Sequence, residues 1–397
     1  MHSPSLPPDI FEEVIRHLRF EHLSLSACSL VCRTWVYPAR RHLFYSLQVP
    51  EARSDLLQFL STTPEVSQHI KELRLGHDNP LVKSRHRLNP SSLRRLLQCL
   101  PSLRSLSINA GFWEPSMTND IPSEALPLNF PLLHSLSLTR VIIGGGTYGG
   151  IFGIRYSLLR LLALFPSLKQ VHLLHTWVGD DSHLAQVSNE GLSSLDLALE
   201  KLVIHSQQSP GSLLNFFQVT RCFREIHQLD ISCPEAGLVQ PLHDFLIEAG
   251  SRITNLRLDL TCAVHWVMAE NVRFDEVDLS PCSSLKTLHL CLGLGEQAGW
   301  HDVWYWNAVA HILTTATTSI QSLVFEVSVH HRSQNLKTFK AIDWMRVDDV
   351  ISRFSTLKNF VIHIQTDPTE NQGQVHSEEL KEAFRARFPS VPSEIFH

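Results

Sequence analysis

Two hydrophobic periods divide this chain. From Pro8 to Leu18 the apolar residues Ile10, Phe11, Val14, Ile15 and Leu18 recur at helical spacing, which predicts an amphipathic helix with one wide apolar stripe. Pro7 and Pro8 suit its first turn, where a missing N–H costs little. Asp9, Glu12 and Glu13 place negative charge near the positive end of its dipole. A second short helix is expected to carry Leu23, Leu25, Ala27 and Cys28. A third begins near Val31 or Cys32, carries Trp35 and is interrupted at Pro38. Three helices in about 40 residues cannot bury that stripe among themselves, because so small a unit needs a staple or a partner. Either a partner covers it or the helices cap the domain that follows.

Beyond residue 66 the period changes to a six-residue theme: apolar, two polar, apolar, variable, apolar. It occurs at Ile70–Leu75, Leu103–Ile108, Leu133–Leu138, Leu168–Leu173, Leu199–Ile204, Ile226–Ile231, Ile253–Leu258, Leu285–Leu290, Ile320–Phe325 and Leu357–Ile362, at intervals of 27 to 37 residues. Ten copies make a repeat. Their fourth and sixth positions point the same way on a strand, so each copy predicts a short strand with one buried face. Helical patterns lie between them at Ser91 to Leu100, Tyr156 to Phe165, Leu213 to Phe223, Leu238 to Ala249 and Trp304 to Leu313, with another around Asp55 to Leu60. Strand, loop, helix and return, repeated, predict an α/β solenoid with a parallel concave sheet and convex helices. Leu100-Pro-Ser-Leu103 and Phe165-Pro-Ser-Leu168, with a partial copy at Phe388, punctuate the helix ends. The expected organisation is a helical module at 1–47, a linker helix at 48–66, the repeat array at 67–365 and a C-terminal cap or tail at 366–397.

The N-terminal run, with its Leu6-Pro7 start, the apolar residues after it and Val31-Cys32-x-x-Trp35, resembles an F-box. That resemblance implies docking on a Skp-type adaptor, and through it on a cullin. It places Leu6, Pro7, Ile10, Ile15, Leu18, Leu23, Val31, Cys32 and Trp35 against the adaptor, with Trp35 as anchor. The later array resembles degenerate leucine-rich repeats. The asparagine or cysteine of regular repeats is replaced, from the second copy to the sixth, by Gly111, Val141, Thr176, Gln207 and Pro234, and most intervals exceed the usual 20 to 29 residues. Irregular loops are therefore expected. The whole resembles the divergent F-box families of fungi, which implies the substrate-recognition subunit of a Skp–cullin–F-box ubiquitin ligase, without catalysis of its own. The alternative is an interaction scaffold outside any ligase.

The fifth residue of each copy leaves the core. Along the array these read Arg74, Ser107, Ser137, His172, Val203, Asp230, Arg257, His289, Val324 and Val361. The extended sheet face of a solenoid is its usual binding surface. A protein target is therefore expected across His172, Asp230, Arg257 and His289, and a terminal helix from Glu378 to Phe388 is expected to cover Val324 and Val361.

Composition narrows the function further. A net charge of −5 over 397 residues lacks the basic footprint of a nucleic-acid binder. There is no apolar run of about 18 residues, and the start Met1-His2-Ser3-Pro4 has no leader pattern. A soluble protein of the cytoplasm or nucleus, with no membrane partner, is expected. The eight cysteines (28, 32, 99, 222, 233, 262, 282, 291) are scattered and read as reduced thiols. Gly144 to Gly150 lacks the Gly-Lys-Ser/Thr ending of a phosphate loop and reads as a flexible insertion. Of 23 histidines, His301 with His311 and the pair His330 and His331 merit weighing as metal ligands. None joins a Cys-x-x-Cys pair or a His-Glu-x-x-His helix, so no metal is expected. No Gly-x-Ser-x-Gly elbow occurs, and neither a catalytic residue nor a cofactor is expected.

Overall fold

The computed structural model describes residues 7–19, 21–49, 54–76, 86–88, 90–113, 133–143, 158, 161–178, 197–206, 210–232, 238–261, 276–294, 300–329, 339, 342–366 and 382–392. Contacts divide the chain into two compact units, Met1–His172 and Leu173–His397. Among the described residues no helix is long and apolar enough to cross a membrane.

The first unit opens with three helices, α1 (Pro8–His17), α2 (His22–Val31) and α3 (Arg33–Leu43). Ile15, Leu25 and Ala39, one from each helix, are fully buried, and Leu18, Cys28, Trp35 and Leu43 pack around them. Phe11 meets Trp35 edge to face at 5.4 Å, and Arg41 on α3 reaches Glu12 on α1 at 2.9 Å. Pro38 lies inside α3 without ending it. A proline removes one backbone N–H from the ladder, and the turns on either side hold the helix together here.

The helices run straight into a parallel sheet. Strands β1 (Ser46–Val49) and β2 (Glu72–Leu75) pair in parallel, flanking helices α4 (Ser54–Thr62) and α5 (Pro64–Ser67). A short β3 (His86–Leu88) and helix α6 (Pro90–Gln98) precede β4 (Ser105–Asn109), which pairs with β2. Then come β5 (Gly111–Trp113), β6 (Ser135–Thr139), β7 (Ile142–Ile143) and β8 (Gln170–Leu174). β6 pairs with β4, while β3, β5 and β7 make a second small parallel ladder. In the second unit β9 (Trp177–Val178) is followed by β10 (Lys201–His205), β11 (Gln228–Ser232), β12 (Asn255–Asp259), β13 (Thr287–Leu294), β14 (Ser322–Val329) and β15 (Asn359–Thr366). β10 to β15 pair in chain order, all parallel. Helices return the chain at Pro210–Val219, Val239–Ala249, Trp300–Thr315 and Trp344–Ile351.

The six-residue theme has a backbone counterpart. In several copies the first residue donates to the carbonyl three places earlier, as Leu103 does to Leu100, Leu168 to Phe165, Ile226 to Phe223 and Leu285 to Cys282. The second and third residues both donate to the second-position carbonyl of the preceding copy: Arg104 and Ser105 to Lys71, Thr254 and Asn255 to His227, Lys286 and Thr287 to Thr254. Within each unit, successive copies are thus clipped together before the strand ladder begins. The fourth and sixth residues are buried, for example Leu256 and Leu258, or Leu288 and Leu290. Each such side chain contributes about 1.5 to 3 kcal/mol of burial free energy.

Lys71 and Glu72 donate in the same way to Tyr45, which exposes an eleventh copy, Phe44-Tyr45-Ser46-Leu47-Gln48-Val49. The three helices therefore end at the first strand of the sheet, and α4 is the helix within the stretch expected at 48–66.

After β2 the chain turns at Gly76, which has φ +99° and donates to the Val49 carbonyl. A Cβ there would stand 2.0 Å from the Asn109 carbonyl oxygen. Both backbone conformation and space demand glycine. Gly76→Ala is expected to lower unfolding stability by about 2 kcal/mol or more, read as a shift in the urea midpoint.

Candidate functional site

Two surfaces carry the side chains that the sequence singles out. The first is α2. Leu25 and Cys28 face the core of the three-helix cluster, yet Leu23, Ala27, Leu30 and Val31 form a second apolar stripe at i, i+4, i+7 and i+8 on the solvent side. Leu23 is 88% exposed, Leu30 84% and Val31 65%, and on α1 Ile10 and Val14 are 48% and 41% exposed. A helix with two apolar faces needs a neighbour on each. Here one face has no cover within the described chain.

The residues that the resemblance assigns to the adaptor divide accordingly. Pro7, Ile10, Leu23, Val31 and Cys32 are exposed. Ile15 is fully buried and belongs to the hydrophobic core of the helices. This corrects its assignment: its side chain holds α1 to α2 and α3 and does not face outward. Leu18 and Trp35 are half-buried against the same core, and Leu6 lies outside the described residues. Leu30 and Val14, which lie outside that assignment, are exposed as well, and a wheel drawn on α2 places Leu30 on the face of Leu23.

The second surface is the sheet face of the fifth positions. In the first unit Gln48, Arg74, Ser107 and Ser137 stand in register, and His172 lies on β8. In the second unit Val203, Asp230, Arg257, His289, Val324 and Val361 form one row. Two residues further along, Ser232, Asp259, Cys291, Glu326 and His363 form a parallel row. The charged groups of both rows bond to each other. His205 Nε2 lies 2.6 Å from Asp230 Oδ1, and Arg257 Nη1 donates to the same oxygen at 3.1 Å. Arg257 Nη2 donates to Glu326 Oε2 at 3.2 Å, which also meets His289 Nε2 at 3.0 Å and Cys291 Sγ at 3.2 Å. The other Glu326 oxygen accepts from Gln365.

Partial burial shapes the electrostatics. It works to raise the pKa values of Asp230 and Glu326, but the partners outweigh it: His205 and Arg257 at Asp230, and Cys291, Arg257 and His289 at Glu326. Both carboxyls are held below their ordinary range. Burial pushes the Cys291 thiol up, and burial with the neighbouring Arg257 lowers the pKa of His289. The cluster is thus two carboxylates spanned by one guanidinium, with imidazoles at either end.

Sequence reasoning found Asp230, Arg257 and His289 but missed His205, Cys291, Glu326 and Gln365. A period of two carried past the sixth position would have found them. Of the metal candidates, His330 and His331 lie outside the described residues, as does the Gly144 to Gly150 loop.

No family model matches this chain, and no curated protein sequence matches it. A solved structure, the crystal structure of a Rad7 and Elc1 complex in yeast, is similar at 14% sequence identity, with 93% of this chain and 94% of that chain covered and a TM-score of 0.34.

Proposed function

We propose that the chain is a non-catalytic substrate receptor of a Skp–cullin–F-box type ubiquitin ligase. In this reading α1 to α3 are an F-box that docks on a Skp-type adaptor and through it a cullin, in the cytoplasm or nucleus. The strand repeats are a degenerate leucine-rich-repeat array that holds the target. The observation that carries the reading is the uncovered stripe of α2, because exposed apolar side chains grouped on one small helical module mark a protein interface. Pro7, Ile10, Leu23 and Val31 come to it from the motif, and Val14, Ala27 and Leu30 from their exposure. In the second unit Asp230 and Arg257 offer charged groups and His289 an imidazole to a protein target, and His172 is a separate candidate contact of the first unit. Catalysis then belongs to the partners, and the receptor raises the effective concentration of target at the ubiquitin donor.

The test is affinity purification of the full chain after mild cross-linking. Adaptor and cullin are expected together. Adaptor without cullin would favour the scaffold reading, and absence of both would overturn the F-box assignment. In the same experiment Arg257→Glu is expected to reduce target recovery at least tenfold while adaptor recovery is unchanged.

A further inference from the structure

Glu326 Oε2 is an unusual meeting point. An imidazole and a thiol from β13 and a guanidinium from β12 all converge on it. His289 Nε2, Cys291 Sγ and a Glu326 oxygen all lie within 4.8 Å of one another, the one such group of three among the described residues. We propose that His289, Cys291 and Glu326 form a zinc site on the sheet face, independent of the receptor reading above.

The donor set suits a borderline-soft divalent ion, which takes sulfur, imidazole nitrogen and carboxylate oxygen together. Zinc bonds of about 2.0 to 2.3 Å in a tetrahedron separate ligand atoms by about 3.3 to 3.8 Å. The gaps of 3.0 Å from His289 to Glu326 and 3.2 Å from Cys291 to Glu326 need to open by only a few tenths of an ångström. Two strands fix this triangle. Cys291 pairs in register with Glu326, and His289 lies two residues before Cys291 on the same face.

Charge also balances. On binding, the Cys291 thiol proton is released to solvent, and neutral His289 presents the Nε2 lone pair with its ring proton on Nδ1. Arg257 releases Glu326 and keeps Asp230 through Nη1. Zinc at +2 and Arg257 at +1 are then met by the Cys291 thiolate, Glu326 and Asp230, and the group is neutral. Gln365, bonded to the second oxygen of Glu326, is the positioning residue that holds the carboxylate toward the site. Outer partners of this kind are worth about 10- to 100-fold in metal affinity.

The experiment uses the full chain, stripped with a chelator and titrated with Zn2+ against a chromophoric competitor, then with Co2+ alone as a spectroscopic probe. The proposal expects one zinc equivalent, a sulfur-to-cobalt charge-transfer band, and loss of that band in Cys291→Ser with at least a 100-fold drop in zinc affinity. Gln365→Ala should keep the band and weaken zinc about tenfold. A wild-type chain without the band, or a band and zinc affinity unchanged in Cys291→Ser, overturns the site and assigns any bound metal to other cysteines. Glu326→Gln, equal in size, carries the same zinc comparison should the serine variant fail to fold: a drop of at least 100-fold supports the site, and an unchanged affinity overturns it.

Discussion

Leu23→Glu with Leu30→Glu is expected to strip the adaptor from the chain while leaving the fold intact. Both side chains are more than four-fifths exposed on one stripe of α2, so neither contributes to the core of Ile15, Leu25 and Ala39. Surface substitutions of this kind change stability by about 0.5 kcal/mol at most. At the centre of an interface the same residues would be hot spots worth about 2 kcal/mol each, or about 30-fold in affinity apiece. The double variant should therefore bind the adaptor about 1000-fold more weakly, measured by calorimetry or surface capture with purified adaptor. Ile15→Ala provides the contrast. It empties part of a very small core at a cost of about 2 to 5 kcal/mol, so it should lose adaptor binding together with helical circular dichroism. If the glutamate pair leaves adaptor affinity unchanged, α2 is not the docking face.

That contrast also shows what the first 44 residues reveal by themselves. Helical spacing identifies α1 and an apolar stripe too large for its own module, and both are present. Spacing does not say which apolar residues meet each other. Ile15 and Leu23 look alike in the sequence, but one lies in the core shared by the three helices and the other on the face of α2 turned away from buried Leu25. The answer depends on how α2 is rotated about its axis, which is set by packing against α1 and α3 and not by a local pattern.

The strand repeats were legible for a different reason. A period of two with a fixed start leaves no freedom in which face is buried, so the register of the fifth positions from Val203 to Val361 follows from the theme alone. The copy at Phe44 was hidden because Leu43 and Phe44 also continue the apolar spacing of α3. His289, Cys291 and Glu326 were hidden for a topological reason. Zinc motifs are recognised by short spacings within one segment, whereas Glu326 is brought to Cys291 by a parallel crossover, which no local spacing encodes.

The C-terminal residues furnish the other large effect. The tail was expected to cover Val324 and Val361, but Phe384 and Phe388 are buried on the opposite side of the strands. Phe388 meets Phe360 at 5.2 Å, Trp344 at 5.6 Å and Phe325 at 6.4 Å, and Phe384 meets Phe339 at 4.8 Å and Trp344 at 5.2 Å. The parity of the strand explains the correction: Phe325 and Phe360 occupy core-facing positions next to Val324 and Val361, and rings seek the larger apolar face. Asp348, on the Trp344–Ile351 helix, adds a polar tie by accepting from the Ser390 backbone N–H at 3.3 Å and from its hydroxyl. The tail thus closes the end of the core, as the last repeat of an array requires. Phe388→Ala is expected to cost about 3 to 5 kcal/mol, a large share of the 5 to 15 kcal/mol typical of a domain. The loss should appear as a lower urea midpoint followed by the fluorescence of Trp306 and Trp344, with α1 to α3 unaffected. A change below about 1 kcal/mol would mean that the sheet is closed without the tail.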